Sequence, residues 1–201
     1  MKLFIKIFAA SVLLTLLLLP VRAQDEFSYK GRFFIAPDFG LVLGYTTRID
    51  VSPALGYYLT ERLSIAAGAK YEYYKLKSFY NNNINLETHI YGPRIFARYT
   101  IIRNLGELLP INSNIEILTH AEFESLSLEN QYFGNGLIDT GRFWYNTLLI
   151  GGGISQAASE RFKLNAVFLW DVDTSSRSPF TNPIVNIGIQ ILLGPVGQQA
   201  D

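Results

Sequence analysis

The stretch that decides the fold is LSIAAGAKYEYYK, Leu63 to Lys75, in which side-chain character alternates with a period of two residues. One set of alternate positions is mostly aliphatic or tyrosine, and the other set is mixed, with Ser64, Gly68, Lys70 and Glu72 among its members. Strict alternation is typical of a β-strand that buries one face. Soluble β-proteins and membrane barrels both alternate, so the apolar face meets either a protein core or lipid.

Composition favours a strand-rich chain that is compatible with a membrane. Of 201 residues, 49% are hydrophobic, 14% are aromatic and 17% are charged, whereas soluble domains have roughly 25% charged residues. Aromatic side chains suit pleated sheets and membrane interfaces. The length is enough for one small barrel and does not call for a second domain.

The first 23 residues, MKLFIKIFAASVLLTLLLLPVRA, predict a secretory signal peptide. Lys2 and Lys6 precede an apolar run over residues 7–19, and Val21 and Ala23 fit a small-residue cleavage site. A membrane anchor is the alternative, but the uncharged run is shorter than the roughly 18 residues that a spanning helix needs. We therefore expect residues 1–23 to be removed on export and residues 24–201 to form one barrel domain.

Charge and cysteine content limit the class of partner and the means of stabilisation. Removing residues 1–23 takes away Lys2, Lys6 and Arg22 from the 17 basic residues and none of the 17 acidic ones, which leaves a net charge of −3. A nucleic-acid partner would require a basic stripe, so none is expected. The chain has no cysteine, so neither a disulfide nor a cysteine-linked lipid anchor holds it. A closed, hydrogen-bonded barrel is another way to stabilise an exported domain.

Period-two runs recur between turn signals, and no helical period persists in the exported part. The predicted strands are 33–46, 48–59, 63–75, 87–103, 114–126, 142–155, 161–173 and 183–193. An even number of strands predicts an all-β fold, an eight-stranded antiparallel up-and-down transmembrane β-barrel with short turns at one rim and long loops at the other. Two connections depart from this rule. The first hairpin is unexpectedly short, and residues 104–113 are unexpectedly long and have room for a helical turn.

The mixed face is rich in glycine and alanine, which suits the crowded interior of a small barrel, so we expect it to point inward. Its predicted acids are Asp38, Asp50, Glu72, Glu122, Glu124, Asp171 and Asp173, and its bases are Lys70, Arg94, Arg98, Arg142 and Lys163, together with Asn146, Asn165 and Asn186. A buried charge is costly unless it is paired. We therefore predict a lumen charge network, with Glu72 and Glu122 as partners of Arg98, made of Lys70, Glu72, Arg94, Arg98, His120, Glu122, Glu124 and Asp171.

The apolar face carries aliphatic residues in the middle of its strands and aromatic residues near their ends. This spacing is close to that of the two aromatic girdles of an outer-membrane barrel. The predicted girdle residues are Tyr71, Tyr73, Tyr91, Tyr99, Phe162 and Trp170. A soluble, lipocalin-like binding barrel with an apolar interior in the periplasm is the alternative.

Four phrases carry a resemblance to a known family: IDVSPALGYYLTERLSI (49–65), YGPRIFARY (91–99), HAEFES (120–125) and SPFTNPIVNIGI (178–189). With them, the chain resembles the small outer-membrane β-barrel proteins of Gram-negative bacteria that share the architecture of the OmpA transmembrane domain. The resemblance implies residence in the cell outer membrane, contact with its lipid and lipopolysaccharide, and insertion by the outer-membrane assembly machinery. One departure is the ending IQILLGPVGQQAD, because such barrels often end on an aromatic residue. We therefore expect an internal insertion signal or a different folding route.

The chemistry-bearing residues predict no enzyme, metal or cofactor. We predict first a plugged barrel that has a structural or surface-interaction role and binds an unknown ligand at its long outer loops. The rival prediction is a small-solute channel. An enzyme that modifies lipid A is a third alternative, but it needs a hydroxyl nucleophile beside a histidine, and no serine accompanies His89 or His120. GGGIS (151–155) lacks the lysine of a phosphate loop, and DVDTS (171–175) lacks the glycine and glutamate of a calcium loop.

Overall fold

The chain folds as a closed barrel of eight antiparallel strands, each paired with its neighbours in sequence and with β1 closing on β8. The computed structural model describes residues 32–42, 46–77, 85–107, 114–133, 141–173, 175, 177–180 and 182–193. The strands are β1 (Phe33–Val42), β2 (Thr46–Tyr58), β3 (Leu63–Lys77), β4 (Asn85–Ile102), β5 (Ile115–Glu129), β6 (Arg142–Ala157), β7 (Phe162–Asp171) and β8 (Ile184–Leu193). The predicted fold class is confirmed, and the predicted signal peptide lies outside the described residues.

The alternation in the sequence becomes an alternation of burial. In β7, for example, Asn165, Val167 and Leu169 are buried, while Leu164, Phe168 and Trp170 are exposed. A period of two places successive side chains on opposite sides of the wall, so one set fills the lumen and the other forms the outer surface. The mixed face is the inner one in β1, β2 and β3. A lipocalin-like barrel, which needs an apolar interior around a ligand, does not fit this distribution.

The barrel has two ends that differ in their connections. We call the end that carries both chain termini of the barrel, residues Phe33 and Leu193, the terminal end, and the opposite one the loop end. At the terminal end, a 3-10 helix at Leu105–Glu107 lies in the connection between β4 and β5, where the sequence predicts room for a helical turn. The part of the chain that the structure describes contains no helix long and apolar enough to cross a membrane.

One predicted loop begins too early. The predicted fifth strand ends at residue 126, but β5 continues to Glu129 and is followed by a helical turn at Asn130–Phe133. The extension is stabilised by pairing with β6, because Glu129 lies opposite Arg142 and Leu128 lies opposite Phe143. Leu128 is also fully buried in the lumen.

The six predicted girdle residues all lie on the outward face. Tyr71 and Tyr91 face each other across the β3–β4 ladder toward the loop end, and Tyr99 pairs with Leu63 near the terminal end. Phe162 begins β7 at the terminal end, and Trp170 and Tyr73 lie toward the loop end. Trp144, the third residue of β6, was not among the predicted girdle residues, and its side chain is 60% exposed. Between the ends, the outward surface is mainly aliphatic, with Ile35, Leu55, Ile65, Ile95, Ile150 and Ile187.

Candidate functional site

Arg94 lies at the centre of the lumen and connects opposite walls. It projects from β4 and donates from Nη1 to Glu122 Oε1 on β5 (3.1 Å) and from Nη2 to Asp38 Oδ2 on β1 (2.5 Å). Nη2 also donates to the carbonyl oxygen of Ser52 on β2 (2.8 Å). All of the charged groups are buried. Because β4 and β1 are not neighbours, this guanidinium links two strands across the interior of the barrel.

His120 and Arg98 extend the network from the same region. Arg98 Nε donates to His120 Nδ1 (3.0 Å), and His120 Nε2 lies 2.9 Å from Glu122 Oε2. Since Nδ1 accepts from a guanidinium, the proton of a neutral imidazole is on Nε2, which donates to the carboxylate. Phe96 stacks on His120 at 5.0 Å, and Arg98 lies 4.5 Å from the Phe96 ring centroid. Both ring nitrogens of His120 are therefore occupied by the network.

The described contacts of Arg98 include neither of its two predicted partners. Its guanidinium reaches His120 and approaches Asp38 Oδ2 (3.7 Å), and it forms no ion pair with Glu72 or Glu122. Glu72 is instead held by two bonds from Arg48, at 2.8 and 3.0 Å. Arg48, which was not among the predicted lumen bases, lies in β2 on the same inward face as Asp50. The sequence could have placed Arg48 in the lumen, because residues 48 and 50 are two apart and lie on the same face of a strand.

Lys70 forms a second group of charges beside the first. Its ammonium nitrogen lies 3.0 Å from Glu124 Oε1 and 3.7 Å from Asp50 Oδ2. It also lies 4.7 Å from the ring centroid of Phe180, which comes from the connection between β7 and β8. Phe180 packs against two apolar clusters of the lumen, one containing Ile90, Leu126 and Leu128, the other containing Leu149 and Leu169. Phe180 therefore covers the charge network from the loop end.

Asp171 differs from the prediction, because it is buried in the lumen but has no basic partner within salt-bridge distance among the described side chains. It accepts hydrogen bonds from the hydroxyls of Thr147, Tyr145 (3.3 Å) and Ser178 (2.5 Å) and from the backbone N–H of Asp173 (2.9 Å). Its own backbone N–H and C=O bond to the Asn182 side chain. Asp171 thus anchors the β7–β8 connection that carries Phe180 and is not a member of the ion-pair network.

Two further residues expected in the lumen lie on the outside. Arg142 and Asn146 share the outward parity of Trp144 in β6, where the buried positions are Tyr145, Thr147 and Leu149. Both faces of this strand carry polar and aromatic residues, so alternation alone does not distinguish them. Lys163, in contrast, points inward and pairs with Glu116 (2.7 Å) at the terminal end.

The candidate metal ligands of the described ranges are the two histidines and the acidic residues. Those residues contain no group of three His, Asp or Glu side chains placed to hold a metal ion. His89 lies outside the barrel, with its Nδ1 2.7 Å from the Tyr71 hydroxyl, and its ring contacts Tyr73. The described contacts of His89 and His120 include no serine or threonine hydroxyl.

Comparison with known proteins gives likeness of fold. No family model matches the chain, and no curated protein sequence matches it. Among solved structures, it is similar to the N-terminal β-barrel domain of Pseudomonas aeruginosa OprF, at 11% identity and a TM-score of 0.46, covering 82% of this chain and 99% of that one. It is also similar to Neisserial surface protein A, at 14% identity and a TM-score of 0.44, covering 83% and 100% of the two chains. A de novo designed transmembrane β-barrel is similar at 13% identity and a TM-score of 0.39, covering 83% and 98%.

Proposed function

We propose that the chain is an integral outer-membrane β-barrel whose lumen is closed by ion pairs and which has a structural or surface-interaction role. The observation that carries this proposal is Arg94, whose guanidinium bridges β4 to Asp38 on β1 and Glu122 on β5 through the centre of the lumen. Eight strands leave an interior that is just wide enough for side chains. A bridge across that interior leaves little room for a solute.

The outward surface supports residence in a membrane. Large apolar side chains such as Leu55, Ile95 and Ile187 are each more than half exposed, which would favour aggregation in water but suits contact with lipid. Charged side chains are concentrated inside, as in membrane barrels. The N-terminal segment with Lys2, Lys6 and an apolar run supports export. An outer membrane is the compartment in which exported β-barrels of this kind are found.

Heat modifiability tests the location. The purified chain is expected to need detergent for solubility and to migrate differently on a gel before and after heating, because a closed barrel resists unfolding by detergent at room temperature. Far-ultraviolet circular dichroism should show a β-rich spectrum. A monomer that stays soluble without detergent would contradict the membrane proposal.

The position of Phe180 at the loop end is a second observation that supports a plugged lumen. Ser178 is bonded to Asp171, and Asn182 is bonded to the Asp171 backbone, so the residues on both sides of Phe180 are attached to the end of β7. The Phe180 ring rests on Lys70 and on the apolar clusters. A solute entering from this end would meet Phe180 first and the Arg94 bridge next.

The rival proposal is a small-solute channel, which the many charged lumen residues favour. Ion conductance through the barrel distinguishes the two proposals. In planar bilayers, the native chain is expected to give no regular conductance steps. Arg94→Ala combined with Phe180→Ala should produce them, because it removes both obstructions. Arg103→Ala is the control, since Arg103 pairs with Glu61 at the exposed terminal end. Regular steps from the native chain that change with Arg94→Ala would favour the channel.

The partners are proposed on the same basis. Lipid and lipopolysaccharide would contact the outward belt and its tyrosines, and the assembly machinery would insert the barrel. An unidentified ligand would bind the loop end, where residues 78–84 and 134–140 of two connections lie outside the described residues. A pull-down through these loops would test for such a ligand. We propose no catalytic activity and no cofactor.

A further inference from the structure

The wall between β4 and β5 loses its backbone ladder toward the loop end. The last paired residues of these two strands are Tyr91 and Ser127. Beyond them, β4 continues to Asn85 in pairing with β3, and β5 continues to Glu129 in pairing with β6. Each strand therefore follows its other neighbour, and the described residues 85–90 of β4 have no ladder partner on β5.

Arg142 spans this unpaired part of the wall between β4 and β5, which we call the seam, from the outside of the barrel. Its Nη2 donates to the carbonyl oxygen of His89 on β4 (2.6 Å) and to that of Ser127 on β5 (2.7 Å). Nε donates to Ser127 Oγ (2.8 Å), and Nη1 donates to Glu129 Oε1 (3.1 Å). The guanidinium also lies 4.7 Å from the Tyr91 ring centroid. One side chain from β6 thus supplies donors to carbonyl oxygens of both separated strands.

A second contact closes the seam from the lumen side. Thr88 Oγ1 donates to Glu129 Oε1 (2.9 Å), the same oxygen that accepts from Arg142. Immediately behind the seam, the lumen is apolar, with Ile90, Leu126 and Leu128 all fully buried. Glu72, which is bonded to Arg48, is the ladder partner of Ile90 on the β3 side, whereas the Arg94 group lies deeper, toward the terminal end. Side chains, and not a continuous ladder, therefore separate an apolar interior cluster from the surroundings of the barrel.

We propose that the loop-end half of the β4–β5 seam is a lateral opening in the barrel wall, pinned shut by Arg142, through which a lipid acyl chain reaches the cluster of Ile90, Leu126 and Leu128. This inference rests on the proposed membrane location. Side-chain hydrogen bonds are lost more easily than a cooperative ladder, so this part of the wall opens locally while the rest stays paired. The cluster behind it is apolar, so an entering molecule that gains from contact with it is also apolar.

Single-cysteine labelling tests the opening, because the native chain has no cysteine. Leu128→Cys reports on the cluster, and Leu149→Cys is the matched control, equally buried but on a strand with ladder partners on both sides, Glu122 and Asp171. Each is reacted in lipid vesicles with an alkyl maleimide that dissolves in the bilayer and with a charged maleimide that stays in water. Heat modifiability of every variant is checked first, so a failure of the barrel itself is distinguished from a failure of the seam.

The expected result is specific to one cysteine and one reagent. Arg142→Ala should speed the reaction of Leu128→Cys with the alkyl maleimide by about tenfold or more, because charge-assisted hydrogen bonds that hold the closed state are lost. The Leu149→Cys rate should not change. Arg142→Lys keeps the charge but not the planar guanidinium, so the Leu128→Cys labelling rate should be intermediate. This variant replaces Arg142→Ala in the test if Arg142→Ala fails to fold. Equal acceleration at both cysteines, faster labelling by the charged reagent, or an unchanged Leu128→Cys rate would overturn the proposal.

Discussion

Arg94→Ala is expected to lower the free energy of unfolding by about 3–5 kcal/mol, because truncating one member of a buried charge group leaves its partners uncompensated. The change leaves Asp38 and Glu122 without the guanidinium and removes the donor to the Ser52 carbonyl oxygen. The midpoint of urea unfolding in lipid vesicles measures this loss. Both carboxylates lie in a lumen that gives them little water in exchange.

Two further variants identify the cause of that loss. Arg103→Ala removes an arginine from an ion pair whose side chains are both nearly half exposed, so it is expected to cost no more than about 1 kcal/mol. Combining Arg94→Met with Glu122→Gln should recover part of the stability, since Asp38 then remains beside Arg98 and neither charge is left unpaired. If Arg94→Ala and Arg103→Ala cost the same, Arg94 does not hold the lumen and the plug proposal fails.

The face of most strands could be predicted from the sequence, because a period of two fixes every side chain of a continuous strand once one is placed. Lys70, Glu72, Arg94 and Arg98 point inward as expected. The prediction fails at strand ends and on strands with two similar faces. Arg48 was not predicted in the lumen, although it is the first residue of the predicted strand 48–59 and shares the parity of Asp50. Arg142 was misplaced because both faces of β6 carry polar and aromatic residues.

The pairing of charges could not be predicted in the same way. Arg94 meets Asp38 across the lumen and not on an adjacent strand. Such contacts depend on strand tilt and on the offset accumulated around the closed barrel, which no single strand encodes. Asp171 shows the same limit, since its partners Ser178 and Asn182 come from a connection whose path is set by tertiary packing. The sequence therefore indicates which residues enter the lumen but not which residues they meet.

Gly151→Ala is expected to prevent normal closure of the barrel or to cost more than about 3 kcal/mol, above the usual 1–3 kcal/mol of overpacking. Gly151 lies on the inward face of β6, and a Cβ placed there would overlap the Phe168 carbonyl oxygen and lie 3.0 Å from the Leu169 Cα, both backbone atoms of β7. Backbone in a paired strand cannot move aside as a flexible side chain does, so β6 and β7 would have to separate.

Gly40→Ala is the matched control for Gly151→Ala. The nearest atom to its added Cβ is the Asp50 Cβ, at 3.1 Å, which requires a shift of only a few tenths of an ångström. We expect this change to cost less than about 1 kcal/mol, in the range of tolerated substitutions. The fraction of heat-modifiable protein and the urea midpoint are measured for both variants. A Gly151→Ala barrel that folds as completely as the Gly40→Ala barrel, with the same midpoint, would mean that β6 and β7 do not approach each other as closely as the structure has them.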